Sequence, residues 1–329
     1  MSRHSVESLV APLVAGLVVL VALLGLIGTA IRDPKPHDLR VGVVGPDQAV
    51  SPMTTALAAK APGTFDFTTY TTEDEARAAL DRRDVDGAVI IGPSGSRIIV
   101  SGAAGDTITA VITTVFTGAL GAQGGSVPVE VVHPFASGDA HGLILFFLVL
   151  ATLISTLVVQ ALLMARASAS RAAAWLGVTV AWASLAGLVG VFSADWLVGG
   201  YDQSQWLPMM GLVALTSLAV GVFMAGSTRL LGAPGLGLAA LIVVLLDLIS
   251  SGGPAGSQIL PDVYRWMSPW MPAGQLDSAL RGTLYFAGAG LAMPVLVISG
   301  WLGAGLVLII LSTAVRRRPA PAPQLAPAR

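Results

Sequence analysis

Six stretches of this 329-residue chain are apolar enough, and close enough to 20 residues long, to cross a bilayer as helices. No other feature of the sequence restricts the fold as much. They cover residues 9–31, 142–165, 172–192, 208–227, 234–249 and 288–315, the fifth being the shortest. Hydrocarbon offers no partner to a backbone N–H or C=O, so apolar runs of this length read as helices that satisfy their own backbone. Composition agrees: 54% of residues are hydrophobic, 11% are charged and mean hydropathy is +0.78, whereas a soluble domain carries roughly 25% charged residues.

The net charge of −1 contains no basic excess, and nucleic acid is not an expected partner. The absence of cysteine excludes disulfides, thiolate metal sites and cysteine nucleophiles.

Arginine placement orients the spans, because positive charge near span ends stays on the cytoplasmic side. Arg3 precedes the first span, Arg166 and Arg171 lie between the second and third, and Arg229 lies between the fourth and fifth. Arg316, Arg317 and Arg318 follow the sixth, so six spans bring all four sites to one side. The opposite loop between spans three and four has Asp195 and Asp202 and no Lys or Arg. Trp196, Tyr201, Trp206, Trp266 and Trp270 fall near the outer span ends, where amphipathic rings favour the headgroup layer. Both termini are therefore expected in the cytoplasm of a multi-pass protein of the cell membrane. The first span reads as a retained anchor; a cleaved signal ending at Gly28-Thr29-Ala30 is the alternative.

Residues 32–140 hold 21 of the 37 Asp, Glu, Lys and Arg residues and read as a soluble unit. The expected strands cover 39–44, 65–70, 85–91, 97–101 and 127–133, and the expected helices 51–60, 72–83 and 106–122, in the order βαβαββαβ. Thr72-Glu73-Asp74-Glu75 is a capping box that opens the second helix. About 100 residues suffice for a modest core. The mixed charges Asp81, Arg82, Arg83, Asp84 and Asp86 read as a solvated helix end. His37, His133 and His141 are not at metal-ligand spacing, and no catalytic motif is present; no cofactor or metal and no enzymatic activity are expected.

Inside the spans, Asp247 in Leu245-Leu246-Asp247-Leu248-Ile249 is the one formally charged side chain, and it must face protein or water. It reads either as part of a substrate or proton pathway or as a helix-pairing residue. Asp277 and Arg281, four apart, are placed to pair on one helix face. The small pairs Ala186/Gly190 and Gly300/Ala304 allow close helix approach or a dimer seam. The segment 251–287 has Pro254, Pro261, Pro269 and Pro272, and reads as an outer re-entrant or amphipathic helix pair.

The expected fold class is an α-helical polytopic membrane protein, six transmembrane helices arranged 1+5, with an inserted α/β extracytoplasmic domain. Residues 1–31 form the cytoplasmic N-terminus and first span, and 32–140 the extracytoplasmic domain. Residues 141–315 form the five-helix membrane domain, and 316–329 a disordered cytoplasmic tail rich in Pro and Ala.

Three segments carry a resemblance. They are Leu39-Arg40-Val41-Gly42-Val43-Val44-Gly45-Pro46-Asp47; the run from Thr72 to Pro93 containing Val85-Asp86-Gly87-Ala88-Val89-Ile90-Ile91-Gly92-Pro93; and Ser268-Pro269-Trp270-Met271-Pro272 followed by Ala279-Leu280-Arg281-Gly282. Together with the insertion after the first span, they resemble the ABC type-2 transporter permease superfamily, including its phage-infection-protein-like branch. The resemblance implies a dimeric permease subunit, homodimer or heterodimer, among membrane lipids. A separate ATPase subunit would drive export of a lipid-like, drug-like or polysaccharide substrate. The chain has no phosphate-binding loop of its own: the glycine-rich 232–237 stretch has no Lys and no Ser or Thr. The family's coupling surfaces, before the first span and between the second and third, are short here. A receptor or scaffold without ATPase coupling is therefore the alternative that the phage-infection-protein-like branch supplies.

Overall fold

The computed structural model describes residues 14, 17, 20–30, 32, 34–93, 95–121, 126–166 and 172–316. Arg3, Arg171, Arg317, Arg318, the tail from 319 onward and most of 9–19 lie outside the described residues.

The chain is mostly helical, and five of its helices are long and apolar enough to cross a membrane. They are α5 (Leu143–Arg166), α6 (Ala172–Val198), α7 (with its preceding turn, Gln203–Leu231), a composite helix (Ala233–Ser250) and α12 (Ala292–Val315). Where the first span is expected, the described residues contain α1, an apolar helix over Leu20–Ala30. Its C-terminal end is held by Tyr264, whose hydroxyl donates to the Leu26 carbonyl at 2.9 Å and lies 2.9 Å from Thr29 Oγ1.

The composite helix is not uniform. It runs through α8 (Ala233–Ala240), a π-helical segment (Leu241–Leu246) and α9 (Asp247–Ser250). Widened turns of this kind recur at functional sites, and this one ends on Asp247. Helix α7 is the hub of the bundle, with α5, α6, α8, α11 (Pro272–Tyr285) and α12 against it. Two crossings depend on glycine. A Cβ on Gly226 would lie 2.7 Å from the Gly305 carbonyl oxygen, and one on Gly187 2.5 Å from that of Met210. Gly300 faces open space and Ala304 is exposed, so that expected pair does not form a crossing within the protomer. Gly190 of the other pair packs against Leu148 and Val213.

The inserted unit is a five-stranded sheet in the order β2-β1-β3-β4-β5, with the βαβαββαβ sequence read above. Its strands are β1 (Leu39–Val44), β2 (Phe65–Tyr70), β3 (Gly87–Gly92), β4 (Gly95–Ser101) and β5 (Val129–Val132). All neighbours pair in parallel except β3 with β4. Because β2 and β3 flank β1 on opposite sides, right-handed crossovers send α2 (Asp47–Lys60) and α3 (Glu73–Asp81) to opposite faces.

One face buries Val41 and Val43 against Leu57 of α2 and Ile112 and Phe116 of α4 (Asp106–Gly121). The other buries Val44 and Ile90 against Ala76 and Leu80 of α3. Alternate strand residues are thus apolar on both sides, which explains the near-continuous Val and Ile runs. The Thr72 capping box is present in full: Glu75 N donates to Thr72 Oγ1 at 3.2 Å, and Glu75 Oε2 accepts from the Thr72 amide.

Between this sheet and the bundle lies the segment over 251–287, whose first part is partly exposed and whose last helix is buried. The short helix α10 (Asp262–Met267) leads into α11, whose Ala273, Leu276, Ala279 and Leu280 are fully buried in the main bundle core. Helix α11 therefore roofs the bundle and carries the sheet domain on its other side. Trp196, Trp266 and Trp270 are exposed around this end, whereas Tyr201 is buried in the bundle core.

Candidate functional site

Asp247, Asp277 and Arg281 fall into two linked arrangements. Asp247 is fully buried. Its Oδ1 and Oδ2 both accept from the amide of Ala273, at 2.9 and 2.8 Å. Pro272 occupies the first turn of α11, where its missing N–H costs nothing, and Met271 precedes it in an extended conformation with no side-chain cap. A carboxylate from the spanning helix thus supplies the cap that α11 lacks, opposite the positive end of its dipole. The bond joins the composite helix to the start of α11.

Asp277 and Arg281 do pair: Arg281 Nε lies 2.8 Å from Asp277 Oδ2. They line a cavity of about 280 Å³ between the sheet domain and α11, with Arg40, Arg83, Asp86 and Ser101 on the domain side. Asp247 is not in its wall; it fixes the helix that carries the pair. Arg281 is 5% exposed, Nη1 donates to the Ala103 carbonyl at 3.2 Å, and its guanidinium sits 5.4 Å over the Phe135 ring.

Of the charge run expected to be solvated, Asp81, Arg82 and Asp84 are exposed, but Arg83 and Asp86 turn into this junction. Arg83 is drawn in by the way α3 ends. Asp84 N donates to Ala79 O and Arg83 N to Leu80 O, the paired bonds of a Schellman motif, with Arg83 at φ +63° in the position glycine normally takes. From there Nη1 donates to the Ser278 carbonyl at 2.9 Å and Nη2 to Ser278 Oγ at 3.1 Å, and the guanidinium lies 5.1 Å over the Phe286 ring. Burial, then the charges of Arg40 and Arg281, push the Arg83 pKa down.

Asp86, 5% exposed, holds Arg40 through Nη2–Oδ1 at 2.6 Å and Nε–Oδ2 at 3.2 Å. Burial opposes the Arg40 charge, but the contact with Asp86 outweighs it and the net shift is upward. Three polar atoms in the cavity wall have no aligned hydrogen-bond partner within the described residues: Ser101 Oγ, Arg281 Nε and Asp277 Oδ1.

No sequence pattern announces Arg40, Arg83, Asp86 or Ser101, because what unites them is the docking of two distant segments. The only local sign is an arginine where a helix C-terminus favours glycine.

Two further features lie in the bundle. Gln160, fully buried, accepts from Trp175 Nε1 at 2.6 Å and donates to Thr179 at 3.0 Å, while Thr156 lies 2.9 Å from Ser217 and accepts from Trp182 Nε1. These bonds join α5, α6 and α7. Beside them α5 and α6 part to form a cleft of about 670 Å³, walled by Phe147, Leu148, Leu185, Val189 and Leu197 among others.

Among the described residues no three His, Asp or Glu side chains converge as metal ligands. No family model matches the chain, and neither curated proteins nor solved structures yield a match.

Proposed function

We propose that the chain is a six-span subunit of the cell membrane that moves a lipid-like substrate, as permeases of the ABC type-2 superfamily do. In this reading α1 is the first span, residues 32–140 are extracytoplasmic and both termini are cytoplasmic. ATP hydrolysis comes from a separate subunit, and the protein works as a homodimer or heterodimer.

The observation that carries the choice of substrate is the cleft between α5 and α6. Phe147, Leu185, Val189 and Leu197 in its wall are about half exposed, so it opens away from the bundle, toward lipid in a bilayer. Polar groups are few there: Thr152, Ser155, Ser193 and Trp182. An acyl chain is suited to such walls, whereas a polysaccharide requires many hydrogen-bonding groups.

The test is reconstitution in liposomes with each ATPase encoded near the gene, reading lipid transfer and ATPase stimulation together. Val189→Trp, which fills the cleft, is expected to abolish transfer while the ATPase still co-purifies. Failure of every such ATPase to stimulate hydrolysis or transfer removes the reading.

One observation favours the second reading, a phage-infection-protein-like receptor or scaffold. Helices α7 and α8 are joined through Gly232 alone, and only residues 167–171 separate α5 from α6. Connections this short leave little for an ATPase to grip. Crosslinking the extracytoplasmic domain in cells would then capture a specific protein with no ATPase present.

A further inference from the structure

The cavity between the sheet domain and α11 has an unbalanced charge. Arg40 faces Asp86 and Arg281 faces Asp277, at 2.6 and 2.8 Å. Arg83 contacts no carboxylate among the described residues: its partners are the Ser278 carbonyl and hydroxyl, the Ala289 carbonyl and the Phe286 ring. An arginine stays protonated at any physiological pH, so the lining side chains carry one net positive charge in a partly buried space. A half-buried charge with no carboxylate in contact is costly, and the more distant Asp277 and Asp86 offset that cost only in part. The backbone adds to that cost, since a left-handed conformation at a residue other than glycine is worth roughly 1 kcal/mol or more of strain. Glycine would relieve the strain but would remove the guanidinium.

The uncommitted polar atoms point the same way. Ser101 Oγ, on a residue 1% exposed, has no hydrogen-bond partner among the described residues, and the Ser278 hydroxyl, which accepts from Arg83, retains its own proton to donate. Asp277 Oδ1 is an acceptor without a donor among the described residues. The wall between them is built of hydroxyls and amides: Ser251, Ser257, Ser268, Gln258 and Gln275. Cationic donors and hydroxyls suit an oxyanion, and a free carboxylate oxygen suits a ligand hydroxyl. A volume of about 280 Å³ is at or below the roughly 300–1,000 Å³ of sites for drug-sized molecules, so a headgroup fits and a whole lipid does not.

We propose that this cavity binds a small polyol phosphate of the glycerol phosphate type, with Arg83, Arg281 and the Ser101 and Ser278 hydroxyls toward the phosphate and Asp277 Oδ1 toward a hydroxyl of the polyol. The ligand is either the headgroup of an anionic lipid such as phosphatidylglycerol or the free phosphate ester. The inference does not depend on the chain being a transporter.

The experiment uses the full-length protein in two arms. In neutral detergent, glycerol phosphate is titrated calorimetrically and thermal unfolding is followed with and without it, with sodium chloride at matched ionic strength as the control. In nanodiscs, unfolding is compared between phosphatidylcholine alone and phosphatidylcholine with phosphatidylglycerol. Saturable stabilisation in the first arm identifies the free ester as a ligand, and stabilisation in the second arm alone identifies the lipid headgroup.

Arg83→Gln is expected to weaken binding at least about thirtyfold. Because that arginine also ties the domain to α11, Ser101→Ala is the second variant. It removes a hydroxyl with no internal bond, so it should leave unliganded unfolding unchanged and weaken binding about tenfold. The proposal is overturned if neither arm gives stabilisation, if chloride reproduces it, or if both variants bind as the wild type does.

Discussion

The carboxylate of Asp247, on the last stretch of one spanning helix, caps a different helix: both its oxygens accept from the Ala273 amide, at 2.9 and 2.8 Å. That bond couples the orientation of α11, and therefore of the sheet domain resting on it, to the position of the composite helix just beyond its π-helical segment. Removing a cap costs roughly 0.5–2 kcal/mol, and leaving a buried N–H without a partner adds about 1–3 kcal/mol. Asp247→Ala is expected to lower the unfolding free energy in detergent by about 2–4 kcal/mol, with Asp247→Asn losing distinctly less because its side-chain oxygen still accepts. Equal losses for the two variants would show that the cap is not what the carboxylate contributes.

The Asp277–Arg281 pair predicts a different pattern. Both residues lie on α11, but Arg281 also reaches the Ala103 carbonyl of the sheet domain. Arg281→Ala should destabilise more than Asp277→Ala, and a double-mutant cycle should return a coupling of about 1–3 kcal/mol, in the range for contacting charged residues. Hydrogen exchange around Gly102–Ala104 should rise in Arg281→Ala and not in Asp277→Ala, since only the arginine crosses the junction.

Much of this architecture is visible in the sequence where the governing interactions are local. The Thr72 capping box, the 65–70 strand and the i,i+4 pairing of Asp277 with Arg281 depend on neighbours a few residues apart, and each is found where the pattern puts it. The ends of the spans are less legible: α6 continues to Val198, six residues past its expected end at 192, because Trp196 and Leu197 extend the helix beyond the purely apolar run. Arg83 and Asp86 are misread by composition alone. Their local context is that of a solvated helix end, and it is the approach of Ser278 and Phe286, nearly 200 positions away, that draws the arginine into a half-buried position. Tyr201 is similar: an aromatic in a polar loop suggests a belt position, yet Asp195 draws its backbone inward, the Tyr201 amide donating to Oδ1 at 2.6 Å.

A pH effect is expected on the exposed side of the sheet. Arg77 donates to both oxygens of Glu130, at 2.8 and 2.5 Å, and this contact holds the Glu130 carboxyl below its ordinary value of 4.5. A depressed folded-state pKa means that the contribution is complete above the unfolded value and is lost as pH falls through the lower folded value. The chain has four glutamates, Glu7, Glu73, Glu75 and Glu130, so selective carboxyl ¹³C labelling can follow this one. Arg77→Gln should move the Glu130 midpoint upward, and an unmoved midpoint would mean that the pair is not formed in solution.

The α7–α12 crossing gives the sharpest contrast between a spacing rule and a contact. Gly300 and Ala304, four apart, satisfy the small-residue pattern, but a Cβ on Gly300 meets nothing within 4 Å. Gly305 is one position further on: its Cβ would lie 2.5 Å from Phe223 N, and that of Gly226 would lie 2.7 Å from the Gly305 carbonyl oxygen. Both obstacles are backbone atoms, which no rotamer change can move. Since small residues stabilise helix pairs in lipid by letting backbones approach, Gly226→Val and Gly305→Val must each force α7 and α12 apart, losing about 1–3 kcal/mol as overpacked cores do. Gly300→Val should be nearly neutral for the isolated protomer. If Gly300→Val instead weakens the protein only at concentrations where it self-associates, the exposed pair belongs to a contact between two copies. Unfolding measured across a range of protein-to-detergent ratios separates the two cases, because a crossing within the protomer is independent of concentration and a seam between copies is not.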